Sequence, residues 1–289
     1  MKFNISYLGP EWLFHLRRDF ILMLKYSLSD LGHEVNLSGS SLDTSSINLL
    51  IGAYFLRSED LEKIKKSNIR FINVNTEVIS QDMLNFNPDK VDFMGAYLPM
   101  MRSGLVCWDV IQDNIGEYKR YDCPAHFLRW GFHENLQEIS HRRDKDLDFY
   151  FFGMMSPRRK KIIDSLLSAG FRGIADHSCP YFLRNDRISR TRVNLNLVQD
   201  SKYSHVNSFR VCYLANNNCY ILSEYECDPA GYLDYTDVFE IEQISERISR
   251  AISQKTWLEK GYSVTEDFAR NHPSKEIMER LLEDTFFQH

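Results

Sequence analysis

The stretch DFYFFG, residues 148–153, is aromatic at every position between its opening aspartate and its closing glycine. An unbroken run of strand length, without polar alternation, reads as a strand covered on both faces, the usual condition of a parallel sheet. INLLIGAYF (47–55) has the same character and reads as another such strand.

Around these runs, strand-like and helix-like segments alternate. KFNISYLG opens the chain as a strand that breaks at Gly9-Pro10, and residues Trp12 to Leu31 carry apolar side chains at helical spacing, closed by Gly32. HEVNLS is a second strand, and INLLIGAYF the third. SEDLEKIKKSN is a helix capped at Ser58 with carboxylates in its first turn, and IRFINVNTEV is a fourth strand. GLVCWDVI is a strand or a short helix. After the charged segment HENLQEISHRRDKD the rhythm repeats: strand LDFYFFG, helix SPRRKKIIDSLLSAG, strands FRGIAD and TRVNLNLVQ, helix SFRVCYLANN, strand NCYILSE, then a short strand and a helix in VFEIEQISERISRAIS. This β-α-β repetition predicts an α/β fold of two Rossmann-like domains with parallel sheets. The expected bounds are 1–143 for the first domain, 144–262 for the second and 263–289 for a C-terminal helix.

Composition narrows the classes. The chain has 289 residues, a length for two domains, and a net charge of −5, which argues against a general nucleic-acid or acidic-membrane binder. Its six cysteines form no CxxC pair, so neither a disulfide scaffold nor a zinc knuckle is expected. With reduced thiols, no apolar signal-like start and no run of membrane-span length, a cytoplasmic protein is expected.

Two stretches carry chemistry. In FFGMMSPRR a glycine ends a strand and a helix capped by Ser156, with Pro157 at its first position, follows at once. A helix N-terminus presents free N–H groups and partial positive charge, and Arg158 and Arg159 add planar donors for a phosphate. Cations there oppose the helix dipole, a local conflict of the kind found at functional sites. The competing reading is a solvated basic helix face. In HVNSFRVCYLANNNCYILSE, Arg210 stands at the start of a helix, within reach of a phosphate, and Glu224 ends a strand, where ligands of open α/β sheets bind and a carboxylate can take sugar hydroxyls. A surface ion pair for Arg210 and a simple cap for Glu224 are the plain alternatives. Asp146-Leu147-Asp148 mimics a DxD metal motif, but Asp148 runs straight into FYFF and is read as opening the strand, so no metal site is expected.

DLDFYFFGMMSPRRKKIIDSLLSAGF, TRVNLNLV and SFRVCYLANNNCYILSE together resemble the donor-binding half of GT-B glycosyltransferases, most nearly the bacterial "glycosyltransferase family 1-like" group. The resemblance covers residues 146–230 and is weak in the first half. It implies two Rossmann-like domains facing a cleft, a nucleotide-diphosphate sugar on the second domain and a C-terminal helix that returns to the first. It implies Gly153 and Arg158 or Arg159 at the diphosphate, Asn196 near the donor, Ser208 and Arg210 where donor phosphates meet a helix, and Ser223 and Glu224 at the ribose or sugar. His205 lies on the donor side; Gly9 and Pro10 form an acceptor-side loop. The chain departs from the family's E-x7-E pattern: the first acidic position is not acidic, and the turn reads Asn216-Asn217-Asn218, which leaves nucleotide identity open.

The implied reaction moves a sugar to a hydroxyl acceptor (a glycan, natural product, protein or modified nucleic acid) with no cofactor and no metal, arginines and helix dipoles offsetting the leaving diphosphate. A base for the acceptor hydroxyl is sought at Glu77 and His15, with Asp109 behind them. Two other readings stay open: a sugar-nucleotide epimerase of the same shape, and a non-catalytic nucleotide-sugar-binding or activating partner.

Overall fold

The computed structural model describes residues 1–85, 87, 89, 91–200 and 205–287. Gln288 and His289, the last two residues of the expected C-terminal helix, lie outside the described residues. The chain divides into two units: residues 1–14, 20–130 and 274–289 form the first, and residues 15–19 and 131–273 the second.

The first unit holds six parallel strands: β1 Lys2–Tyr7, β2 Glu34–Leu37, β3 Ile47–Ile51, β4 Phe71–Asn75, β7 Val106–Asp109 and β8 Ala125–Phe127, in the order β2-β1-β3-β4-β7-β8. A small antiparallel hairpin, β5 Ile79–Ser80 and β6 Met83–Leu84, interrupts the series after β4. Its helices are α1 Glu11–Asp30 (residues 15–19 of which group with the second unit), α2 Ser58–Lys66, α3 Leu98–Ser103, α4 Asn114–Arg120 and, from the far end of the chain, α10 Ser274–Phe286. The indole N–H of Trp108 in β7 donates to the Thr285 hydroxyl of α10 at 2.9 Å. All five residues of β3 are buried, as a two-faced strand requires.

Two local expectations need correction here. The third strand does not run through INLLIGAYF. It ends at Ile51, because Gly52 takes a left-handed φ of +79° and turns Ala53–Phe55 into a short 3₁₀ segment. Ser58 does not cap α2 from outside; it is the first helical residue, behind Arg57, and no side chain caps that end.

The second unit repeats the design with β9 Leu147–Phe152, β10 Gly173–Asp176, β11 Thr191–Asn196, β12 Ile221–Glu224 and β13 Asp237–Phe239, all parallel, in the order β10-β9-β11-β12-β13. Its helices are α5 Pro157–Ser168, α6 Tyr181–Arg190, α7 Ser208–Asn216, α8 Ile244–Ser253 and α9 Thr256–Asn271. All six residues of β9 are buried, and Phe149, Phe151, Val193, Leu195, Leu222 and Ile248 share one core. Helix α6 was not expected: besides Ile188, the side chains it buries are Arg184 and Ser189, so it has no apolar stripe to read. The charged tail is two helices, not one, parted at His272-Pro273, where proline has no N–H to continue α9.

The triple-asparagine turn also acquires a structural reason. The Asn216 carboxamide accepts from the N–H of His133 (2.9 Å) and donates to its carbonyl (3.1 Å). Asn217 Oδ1 accepts from the N–H groups of Glu138 (2.8 Å) and Ile139 (3.2 Å), and Asn218 takes a φ of +54°. The turn clamps segment 133–139 against the end of α7. No helix among the described residues is long and apolar enough to cross a membrane.

Candidate functional site

Strand order in the second sheet reverses between β9 and β11, with β10 to one side and β12 to the other. Beyond the carboxyl ends of strands at such a point an open α/β sheet leaves a crevice. The residues picked from sequence in this unit gather there. Gly153 follows β9, Asn196 ends β11, Ser223 and Glu224 end β12, and the N-termini of α5 and α7 bring Arg158, Arg159, Ser208 and Arg210.

Gly153 has a φ of +134°, a region L side chains avoid, and a Cβ there would stand 2.5 Å from the Arg210 guanidinium. Arg210 is buried. Its Nε donates to the Phe152 carbonyl at 2.8 Å, its Nη1 to Asn196 Oδ1 at 2.5 Å, and its guanidinium lies over the Phe151 ring, 4.6 Å from the centroid. Burial, helped by neighbouring Arg159, lowers its pKa to about 9. Arg210 is thus neither a surface ion pair nor an open phosphate ligand; it is a fixed charge beneath the crevice.

Arg159 is buried too. It donates to the Leu197 carbonyl from Nε (3.0 Å) and Nη2 (2.5 Å), and to the Met154 carbonyl from Nη1 (2.8 Å). Burial lowers its pKa to about 10. Arg158 points the other way. It forms a two-pronged ion pair with Glu224, Nη1 to Oε2 at 2.9 Å and Nη2 to Oε1, and also donates to the Val198 carbonyl at 2.9 Å. The Arg158 side chain is 38% exposed and that of Glu224 only 7%, so the open face of the pair belongs to the cation. The Val198 N–H also donates to Glu224, at 2.6 Å. Two residues expected to hold different parts of one ligand therefore hold each other.

Both helix ends are capped. Ser156 Oγ accepts from the Arg159 N–H at 3.2 Å, as expected, and Asn207 Oδ1 accepts from the Arg210 N–H at 3.1 Å. Ser208 is the buried first residue of α7, and His205 pairs through a backbone bridge with Cys227.

One residue was not expected. Asn196 donates from Nδ2 to Ser223 Oγ (2.8 Å) and to Glu226 Oε1 (2.6 Å). Glu226 is buried, which raises its pKa to about 7 against the pull of Arg210 and Asn196. Glu224-Tyr225-Glu226 puts both carboxylates on one side of an extended segment and Tyr225, 73% exposed, on the other. That alternation was the available signal.

Asp146 and Asp148 lie at the opposite, amino edge of the sheet. There Asp148 pairs with Arg192 at 2.7 Å, and Asp146 with Arg190.

In the first unit, Gly9 and Pro10 form the β1–α1 turn, where the Tyr7 hydroxyl donates to the Pro10 carbonyl at 3.2 Å. Glu77, just past β4, accepts from the Tyr54 hydroxyl at 2.7 Å and from the Asn85 amide. Asp109 is fully buried, accepting from Asn75 Nδ2 (2.7 Å), Asn114 Nδ2 (2.9 Å), the Tyr118 hydroxyl (2.8 Å) and the Ile111 N–H (2.7 Å). Burial lifts its carboxyl to about 6. This hub ties the ends of β4 and β7 to α4. His15 is half-buried in α1 and groups with the second unit.

No protein-family model matches the sequence, and no curated protein matches it. Solved structures do. The chain is similar to an alpha-glucosyltransferase in complex with UDP and a 13-mer DNA containing an HMU base (TM-score 0.66, 9% identity, 98% of this chain and 99% of that one). The fold is that of the GT-B glycosyltransferases. Two more such likenesses are to the DNA-modifying enzyme beta-glucosyltransferase, studied with and without its substrate uridine diphosphoglucose (TM-score 0.59, 10% identity, 99% of each chain), and to AviGT4, a glycosyltransferase of avilamycin A biosynthesis (TM-score 0.57, 10% identity, 99% and 97%). Identities this low speak for the shared GT-B fold and for nothing finer.

Proposed function

We propose that this protein is a glycosyltransferase that moves a sugar from a nucleotide-diphosphate sugar to a hydroxyl acceptor without a metal. The observation that carries the reading is the convergence of Arg158, Arg159 and Arg210 with two capped helix N-termini at the point where the second sheet reverses its strand order. Against these three cations stand Glu224 and a Glu226 whose carboxyl titrates near 7, so the site is net positive. Fixed cations and helix ends in a partly dehydrated place are what a departing diphosphate needs.

In the transfer, the bond between the anomeric carbon and the diphosphate oxygen breaks with its electron pair going to the diphosphate. The acceptor oxygen bonds to the carbon, and its proton leaves to a base. Glu77 and His15 are the candidates for that base. Arg158, the exposed cation, is assigned to the diphosphate, and Glu224, released from it, to ribose or sugar hydroxyls. Arg159 and Arg210 act from beneath through charge. We take uridine as the nucleotide to try first, because the alpha-glucosyltransferase structures hold UDP and the beta-glucosyltransferase uses uridine diphosphoglucose. Assignment to the family 1-like group rests on the sequence motifs.

The Arg158–Glu224 pair favours one other reading, a nucleotide-sugar-binding partner without turnover, since both its members are engaged with each other. Release of free UDP from UDP-glucose in EDTA separates the two. Acceptors to offer are simple glycosides, glycans and DNA containing the HMU base. Acceptor-dependent UDP release is the expected result. UDP-glucose binding with no release for any acceptor supports the partner reading, and release that requires Mg²⁺ or Mn²⁺ overturns metal independence.

A further inference from the structure

We propose that Cys107 and Cys123 form a reversible thiol–disulfide couple, a redox site in the first unit that hydrogen peroxide oxidises. The two sulfurs lie 3.8 Å apart, in thiol hydrogen-bond contact, although 16 positions separate them in sequence. Cys107 stands within β7, and Cys123 in the irregular turn between α4 and β8. The Cys107 N–H donates to the Pro124 carbonyl at 2.9 Å and the Cys123 N–H to the Tyr118 carbonyl at 3.1 Å, so backbone bonds hold both thiols at this separation. A disulfide is about 2.0 Å long, so the sulfurs have to approach by about 1.8 Å. Side-chain rotation and a shift of the 121–124 turn, which lies outside helix and strand, supply that movement.

The two thiols are not equivalent. Cys107 is 0% exposed and Cys123 5%. The hydrogen bond from Cys107, aided by the charge of Arg102, lowers the Cys123 thiol against its burial. The same bond, together with burial, raises Cys107 well above the ordinary thiol range. Arg102 is held at the turn by its Nε, which donates to the Tyr121 carbonyl at 2.7 Å. A thiol that ionises more readily, at the more open of two positions and beside a second thiol, is the arrangement that reacts with peroxide and then closes a disulfide. Cys219 shows the inert alternative: its thiol faces the Asn217 carbonyl at 3.3 Å, and burial raises it to about 12.

In the first step the Cys123 thiolate attacks one peroxide oxygen. A sulfur–oxygen bond forms, the oxygen–oxygen bond breaks, and the departing hydroxide leaves as water with the thiol's proton. In the second step the Cys107 sulfur attacks the sulfenic sulfur of Cys123. The disulfide forms, the sulfur–oxygen bond breaks, and the hydroxide leaves as a second water with the Cys107 proton. Two electrons have passed from the two sulfurs to one peroxide, and a dithiol reverses the change by exchange. The bond closes a loop that contains all of α4, the helix whose Asn114 and Tyr118 donate to Asp109, and adds a covalent tie to that hub.

The test is peptide mapping of the full chain after hydrogen peroxide, with remaining thiols blocked by N-ethylmaleimide and tryptic digestion without reductant. Cleavage at Lys119 and Arg120 parts the two cysteines, so a disulfide joins peptide 103–119 to peptide 121–129. The expected result is that joined peptide, formed in the folded chain at lower peroxide than in the chain unfolded in urea, and lost on adding dithiothreitol. In Cys107→Ser, dimedone is expected to trap a sulfenic acid at Cys123; in Cys123→Ser, position 107 stays unlabelled. Should either variant not fold, the map of the unaltered chain still decides whether the couple exists. No joined peptide once the exposed Cys227 is fully oxidised, a link that forms only in urea, or dimedone on Cys107 but not on Cys123 overturns the proposal.

Discussion

Single residues at the β9–α5 turn decide whether the site keeps its shape. Gly153→Ala adds a Cβ where the Arg210 guanidinium already lies and forces a φ that alanine avoids. It is expected to cost about 2–3 kcal/mol of stability and to weaken nucleotide binding by displacing Arg210. Chemical denaturation checks the first and calorimetry the second; an alanine variant as stable as the parent would show that the turn is not strained. Glu226 supplies a pH signature. Its carboxyl rises from 4.5 to about 7, so between those values the folded chain holds a proton that the unfolded chain has lost, and this group's contribution to stability falls as pH rises through that window. Ionisation also adds negative charge beside the proposed diphosphate. UDP-glucose, whose doubly esterified diphosphate does not titrate there, is expected to bind more weakly at pH 8 than at pH 6, with the difference lost in Glu226→Gln. A flat profile in the parent chain would remove Glu226 from the site. The sequence marked Gly153, Arg158 and Glu224 because each ends a readable element. It did not tell that Arg159 and Arg210 are buried, since nothing local says which arginine of the basic run 158–161 turns inward to backbone carbonyls, or that the lone cation of NSFRVCY does.

At the scale of elements, strands were legible wherever burial was two-sided. INLLI and FYFF advertise themselves because every side chain is apolar or aromatic, or is an asparagine held by its neighbours: Asn48 donates to the Asp43 carbonyl at 2.8 Å and accepts from Asn4 at 2.9 Å. Helix α6 was illegible for the opposite reason. Arg184 fills the position an apolar residue would mark and is held by an ion pair with Asp19, 2.6 Å away within the same unit. Asp109 shows how a polar residue can organise several elements at once. Asp109→Ala takes one acceptor from Asn75 and Asn114, which keep the Glu77 carbonyl, and removes the acceptor of the Tyr118 hydroxyl and the Ile111 N–H, an expected loss of about 3 kcal/mol in urea denaturation. A loss below about 1 kcal/mol would contradict its role as the tie between β4, β7 and α4. Its buried place makes it a poor candidate for touching an acceptor, despite its position at a strand end.

For the whole molecule, the β-α-β rhythm carried the fold class because two parallel sheets with crossover helices leave few alternatives. Long-range chain paths are not in local patterns: α10, last in sequence, belongs to the first unit through contacts such as Trp108 with Thr285, and only the family resemblance implied a helix that returns there. The claim on which the functional account stands is that the carboxyl edge of the second sheet binds a nucleoside diphosphate through its one exposed arginine of the three, Arg158. The most direct test is calorimetric titration of UDP in EDTA into the parent chain and into Arg158→Ala. The account predicts metal-free binding in the parent, weakened by about 1–3 kcal/mol in the variant, measured at a temperature where the variant is still folded although its melting temperature falls with the loss of the Glu224 pair. No binding of UDP or of any other nucleoside diphosphate, or equal binding in the two proteins, would contradict it.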